Sequence, residues 1–365
     1  LKITKILIED ANFILQKKNT KFYNDYIKNR FSKKKIIIKN SNFFLKDDNN
    51  NIITLVPIKN ISLFYDEKKL ANQIIAKGKL FKIPFKINWY KNFENENKSV
   101  TLIKLKKLDL EIKNKSLIKD KKYISKNSIF FRNAKLYSNF EIQNNIISFK
   151  SEDSKIVNSN LDYNGQINID PFYTKLEINL DKLNIIKFLI SSFHFIKFLN
   201  VDFLFNKNLS AKIDIKSNNI HNKLFDFAKL LIHFDNGNIN FNNSILTSKK
   251  VGSLKLTESN LDFVDEKLIF NGSFNFNVTN QKKFYTVFQI SKKNRKLLKH
   301  IFFDVQIDSS KNKLNIKNFK INDKKSITNE NTKNVINQFN NNKEHKIQNW
   351  INLKNFTREI FNSYF

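Results

Sequence analysis

The sequence predicts a mainly β protein: a long antiparallel meander curled into a hydrophobic groove, with a few amphipathic helices covering it. Three observations lead to that class. Runs such as Gln166-Ile167-Asn168-Ile169, Lys175-Leu176-Glu177-Ile178-Asn179-Leu180, Asn238-Ile239-Asn240-Phe241 and Ser273-Phe274-Asn275-Phe276-Asn277-Val278 alternate apolar and polar residues, which puts every apolar side chain of a strand on one face. A short phrase, opened by a small or polar residue and closed near Asn or Asp, recurs at Ala11-Asn12-Phe13, Ser41-Asn42-Phe43, Ala134-Lys135-Leu136-Tyr137, Ser159-Asn160-Leu161-Asp162-Tyr163 and Ser259-Asn260-Leu261-Asp262-Phe263. The apolar segments follow one another across short polar connections, as in a meander or sandwich and unlike a βαβ fold.

Taken in order, strands are expected at residues 3–8, 35–45, 61–65, 73–81, 85–90, 102–112, 129–137, 140–149 and 156–163. With 5 Gly and 3 Pro in the whole chain, the turns fall to Asn and Asp, which tolerate left-handed backbone and bond their own main chain. Clusters at residues 47–51, 92–98 and 144–145 read as such turns, and Asp170-Pro171 as another. At Asp181 the period changes. Leu183, Ile186, Leu189, Ile190, Phe193, Ile196 and Leu199 recur at helical spacing behind Asp181 as N-cap. A second, shorter helix is expected over residues 222–233, with Leu224, Phe227, Ala228 and Leu231 inward. A strand at 209–216 lies between them, and strands resume at 238–241, 251–257, 261–264, 267–270, 273–278, 301–307 and 314–321. Residues 281–300 read as a helix or a long charged loop. Residues 324–346 read as a polar linker with a short helix near 335–339. Ile347, Trp350, Leu353, Phe356, Ile360 and Tyr364 then place an amphipathic helix at 347–365.

Composition bounds the function. A chain of 365 residues that is 41% hydrophobic has ample material for one or two cores. Zero Cys removes disulfides and Cys-based metal sites, and zero Met predicts a piece of a longer protein. The net charge of +32 raises nucleic acid or anionic membrane as partners. The lysines are scattered over polar strand positions, however, and the arginines Arg30, Arg132, Arg295 and Arg358 lie far apart. Guanine edges and phosphates are read mainly by clustered Arg, so nucleic acid is disfavoured. The longest apolar stretch, 183–199, is shorter than the ~20 residues that cross a bilayer, and it contains Lys187, His194 and Lys197. Any membrane anchor is therefore expected outside this piece.

No catalytic pattern stands out. The histidines His194, His221, His233, His300 and His345 form no ligand-spaced pair, and no nucleophile elbow, phosphate loop or dinucleotide fingerprint occurs. No enzyme activity, cofactor or metal is expected. The feature left over is aromatic: Phe stands at 37, and many fall on the alternating apolar face. A one-sided sheet of that kind needs a second sheet, helices or a ligand over it.

Gly78-Lys79-Leu80-Phe81 leading into Pro84-Phe85-Lys86-Ile87-Asn88-Trp89, and Leu209-Ser210-Ala211-Lys212-Ile213-Asp214-Ile215 with the later Asp235-Asn236-Gly237-Asn238-Ile239-Asn240-Phe241, resemble the AsmA-like family of Gram-negative envelope proteins. The resemblance spans most of the chain to about Asp323. It implies a periplasmic protein tethered to the inner membrane, a curled sheet whose hydrophobic side carries phospholipid toward the outer membrane, and possible envelope protein partners. On that basis residues 1–180 are expected to form the groove segment and 181–323 a β-rich segment resembling the family's C-terminal part. Periodicity nominates Ile167, Ile169, Leu176, Ile178, Leu180, Phe241, Phe263, Phe270, Phe274 and Phe276 as the lining that meets acyl chains.

Overall fold

Alternation becomes strand almost throughout the computed structural model, which describes residues 4–16, 25–46, 50, 52–80, 82–93, 98–119, 122–143, 146–156, 159–169, 172–184, 204–220, 224–265, 267–308, 313–322, 324–325, 330–341 and 350–364. The protein is mainly β. It divides into two compact units, Leu1–Tyr173 with Phe198–Leu204, and Thr174–Lys197 with Phe205–Phe365.

In unit 1, β1 (Lys5–Glu9) and β2 (Asn12–Gln16) both run parallel to β3 (Lys35–Lys46). An antiparallel meander follows: β4 (Ile52–Asp66), β5 (Ala71–Leu80), β6 (Ile83–Asn92), β7 (Ser99–Leu105), β8 (Leu110–Lys119), β9 (Lys122–Phe131), β10 (Ala134–Gln143), β11 (Ile146–Ile156) and β12 (Ser159–Ile169). Four predicted strands are each divided; 140–149 is shared by β10 and β11, and 156–163 by β11 and β12. Residues 102–112 break at a 3-10 turn, Lys106–Leu108, closed by Asp109 at φ 51°. Residues 129–137 contain the β9–β10 turn, where Arg132 takes φ 47°.

In unit 2, β13 (Phe172–Leu180) pairs in parallel with β14 (Ala211–Ser217) from Thr174 onward, and β14 pairs antiparallel with β15 (Phe227–Asp235). The short strands β16 (Asn238–Asn240) and β17 (Ile245–Ser248) both bridge β15 to β18 (Gly252–Val264). The ladder continues through β19 (Lys267–Val278), β20 (His300–Asp308), β21 (Lys313–Ile321) and β22 (Lys324–Lys325). Helices α1 (Gln281–Val287), α2 (Glu330–Asn341) and α3 (Trp350–Tyr364) complete the unit. The side chain of Asn280 caps α1 by accepting from the Lys283 N–H at 3.0 Å.

The helix expected at 222–233 is a correction: residues from Phe227 onward are strand β15. Its run is apolar on both faces, and such a segment carries no period that separates helix from strand. The expected N-cap at Asp181 is also corrected. Leu183 donates its N–H to Asn219 O at 2.9 Å and bridges Ile220 in parallel, so the chain there is extended; the rest of that predicted helix lies outside the described residues, as do Asp170-Pro171 and most of the three Asn-rich clusters. The region expected as a linker contains α2, twelve residues long, with Ile336 and Phe339 buried. The terminal helix is present as α3.

Asn and Asp supply most of the left-handed positions, beside Leu70, Lys82, Arg132 and Gln289. Asp10, Asn40, Asn50, Asp109, Asp153, Asn236, Asn243, Asp265 and Asn322 all have positive φ. Three are followed directly by a buried serine: Asn40-Ser41, Asp153-Ser154 and Asn243-Ser244. Asp153 lies at a register shift of the β11–β12 ladder, and at all three places the serine hydroxyl bonds backbone of a neighbouring segment. Ser154 Oγ accepts the Tyr137 N–H at 2.8 Å and donates to Tyr137 O at 2.9 Å. Ser244 does the same for Leu231 at 2.9 and 3.3 Å, and Ser41 accepts the Ala11 N–H at 3.1 Å. Backbone groups left without a ladder partner there are thereby satisfied.

Candidate functional site

Register aligns one apolar residue from each of nine strands across unit 1. The row reads Ile8, Ile38, Ile61, Ala76, Ile87, Ile103, Ile112, Ile129 and Leu136, from β1 and β3 through β10. Along the same strands, one residue away and hence on the opposite face, runs Lys39, Asn60, Lys77, Lys86, Lys104, Glu111, Phe130 and Lys135. Of the apolar row, Ile38 and Ala76 are buried. The other seven are half-buried, keeping part of their apolar surface in solvent.

One end of this face is occupied by the segment after a helical turn at residues 25–28. Phe31 is buried, with Tyr26 stacked on it at 5.2 Å and Trp89 at 6.2 Å. The fully buried Asn72 holds the segment by accepting the Phe31 N–H at 2.8 Å and donating to Asn29 O at 2.7 Å. Lys91, also buried, lies over the Phe93 ring at 5.2 Å. Desolvation first, then the charge of Lys28, hold its pKa below the ordinary lysine value.

Unit 2 has the same construction with aromatic residues. One row runs Ala211, Phe234, Ile239, Leu261, Phe270, Ile307 and Leu314. Another runs Leu180, Ser217, Ala228, Leu246, Leu254, Phe276, Ile301 and Ile321. Between them Phe274 stacks on Phe303 at 5.4 Å and Phe303 on Phe319 at 6.4 Å. Helices close the second row. Phe284 of α1, 1% exposed, meets Phe276 at 5.7 Å, Phe288 at 4.5 Å and Phe361 of α3 at 5.7 Å. Phe339 of α2 packs on Phe356 of α3 at 4.3 Å. Tyr285, buried in the same cap, donates its hydroxyl to Lys296 O, and burial pushes its phenol pKa up. In unit 1 the buried Tyr163 is likewise raised, again mainly by desolvation.

The nominated residues therefore divide. Ile167 is half-buried on β12 of unit 1 and pairs with Ile147, which pairs with Ile142 on the face of the isoleucine row. The side chain of Ile169 lies outside the described residues. Leu176 and Ile178 are half-buried beside Ile213 and Ile215, while Leu180 is buried. Phe241 and Phe270 meet edge to face at 5.6 Å, and both are half-buried, as is Phe274. Phe263 is exposed, 6.5 Å from Phe205. Phe276 is core, under α1 and α3. The longest half-exposed apolar row, in unit 1, was not among the nominees. Its signal in sequence is weaker: Phe85-Lys86-Ile87-Asn88-Trp89 alternates strictly, but in β7 Leu102 and Ile103 stand side by side.

On the lysine-bearing face, Lys104, Lys106, Asp109, Leu110, Glu111, Phe130 and Arg132 line a hollow of about 540 Å³. Lys104 and Glu111 pair across it at 2.6 Å. Among the described residues no cluster of His, Asp and Glu could hold a metal ion, and no helix is long and apolar enough to cross a membrane. No protein-family model and no curated protein matches the chain.

Proposed function

We propose that the chain is a non-enzymatic lipid-binding protein of AsmA-like type, holding phospholipid acyl chains along the isoleucine row with the head groups toward solvent. In this reading it works in the periplasm, tethered to the inner membrane by a segment outside this sequence, and carries phospholipid between inner and outer membrane or supports outer-membrane assembly. The observation that carries the reading is the continuity of the unit 1 row together with its half-exposure. Eight steps at about 4.8 Å make roughly 38 Å of apolar track along the sheet, whereas one leaflet of a ~30 Å hydrocarbon core is about 15 Å deep. An acyl chain laid on the track gains about 0.8 kcal/mol for each methylene it buries.

A second reading is a periplasmic scaffold with a closed β core and no lipid cargo, and the helix-sealed row of unit 2 favours it. Mass spectrometry of organic extracts from the purified chain, against a control protein of similar charge, separates the two. Stoichiometric phospholipid is the result expected from a lipid carrier; a folded, lipid-free chain is the result expected from a scaffold.

A further inference from the structure

The outer strands of the two units are treated differently. In unit 2 the outer side of β21 is occupied: β22 pairs with Lys320 and Ile321, and Asn340 of α2 accepts the Ile316 N–H at 2.9 Å and donates to Ile316 O at 3.0 Å. The side-chain amide stands in for a neighbouring strand. In unit 1, β3 is the one ladder partner of β1 among the described residues. The Asp10 N–H donates to Lys39 O at 3.2 Å, which sets the phase of the parallel ladder. Even-numbered residues turn their N–H and C=O toward β3, and Lys5, Leu7 and Glu9 present theirs outward. The strand is short and charged at both ends, at Lys5 and Glu9, but between them it has no proline, no bulge and no charge. Ile6 and Leu7 are 45% and 46% exposed.

We infer that β1 is a self-association edge, at which two copies of this chain add β1 to β1 in antiparallel about a two-fold axis through Leu7. The segment Lys5-Ile6-Leu7-Ile8-Glu9 is complementary to its own reverse. In that register Lys5 faces Glu9 of the second copy, Ile6 faces Ile8, and Leu7 faces itself. The three outward residues of each copy meet as hydrogen-bonded pairs, so every outward N–H and C=O finds a partner. The charge pattern explains the choice of a second copy over an unrelated strand. Within the chain Lys5 lies opposite Lys35, a like-charge pair, whereas Glu9 already meets Lys39 at 3.3 Å. The second copy brings an acid to each Lys5, and the closed two-fold arrangement uses up both edges.

The test is sedimentation velocity on the full chain over a wide concentration range, with charge-swapped variants. The wild type should show a concentration-dependent dimer. Lys5→Glu alone, and Glu9→Lys alone, should each weaken it about tenfold, because each creates two like-charge cross-strand pairs. An equimolar mixture of the two variants should recover the dimer, since each then supplies what the other lacks; the doubly swapped chain should recover it too. Leu7→Pro, which removes an outward N–H and no internal bond, should weaken the dimer with an unchanged circular dichroism spectrum. A wild type that stays monomeric, a dimer indifferent to the single swaps, or a mixture that fails to recover would each overturn the inference.

Discussion

Unit 1 keeps an aliphatic row half in solvent, whereas unit 2 buries most of one of its two rows, with Phe276 in it, beneath helices. The difference is one of supply. Unit 2 contains α1, α2 and α3, whose Phe284, Phe339, Phe356 and Phe361 reach over the sheet, and Ile301, Phe319 and Ile321 beneath them are buried. Unit 1 has residues 25–34 at one end, and that segment covers Trp89 but leaves Ile103, Ile112 and Ile129 half-exposed. An alternating strand fixes which face is apolar. It does not fix what covers that face, and in this chain the cover distinguishes a core from a track.

The sharpest way to break the comparison is to cut the helical cap. Phe284→Ala, at a residue 1% exposed, should cost about 3–5 kcal/mol in denaturant unfolding of unit 2. A cost near zero would mean the cap seals nothing. Next is the serine beside Asp153. Ser154→Ala leaves the Tyr137 N–H and C=O unpaired, and should cost about 1–3 kcal/mol in the same measurement on unit 1.

Lys91 gives a smaller, pH-dependent effect. Its folded pKa lies below the ordinary value of 10.5, so the unfolded chain binds more protons in the interval between the two. Stability should therefore rise with pH across that interval, and Lys91→Met should abolish the rise. Tyr163 and Tyr285 act with the opposite sign, because their folded pKa values are raised above 10.0. Their stabilisation is complete below that pH and is lost above it, so thermal melts up to about pH 10 isolate the lysine. The smallest effect is expected on the open track. Ile112→Ala should cost about 1 kcal/mol or less, against the 2–5 typical of a buried isoleucine; a full-sized loss would make unit 1 as closed as unit 2.

Much of this was legible in the sequence. The strands, the one-sided alternation and the use of Asn and Asp at left-handed positions follow from local chemistry, and the terminal helix follows from Phe356 and Ile360 at helical spacing. The β15 run was not legible, because Leu230-Leu231-Ile232 is apolar on both faces and has no period. The Asn-Ser and Asp-Ser pairs were hidden for another reason: the serine hydroxyl serves a residue on a neighbouring strand, Tyr137 for Ser154 and Leu231 for Ser244. As for the lining, density of Phe drew the candidates toward unit 2, yet those rings include Phe276, which meets helices. Burial depends on what the sheet faces, and alternation carries no information about that.

The most direct measurement is tryptophan quenching by phospholipid with brominated acyl chains. The chain has 2 Trp, so a Trp350→Phe variant reports from Trp89 alone, which lies two residues beyond Ile87 on the face of the isoleucine row. The lipid-track reading predicts saturable quenching of Trp89, weakened when Ile103→Asp places a charge on the row. Quenching absent at saturating lipid, or unchanged by Ile103→Asp, would contradict it.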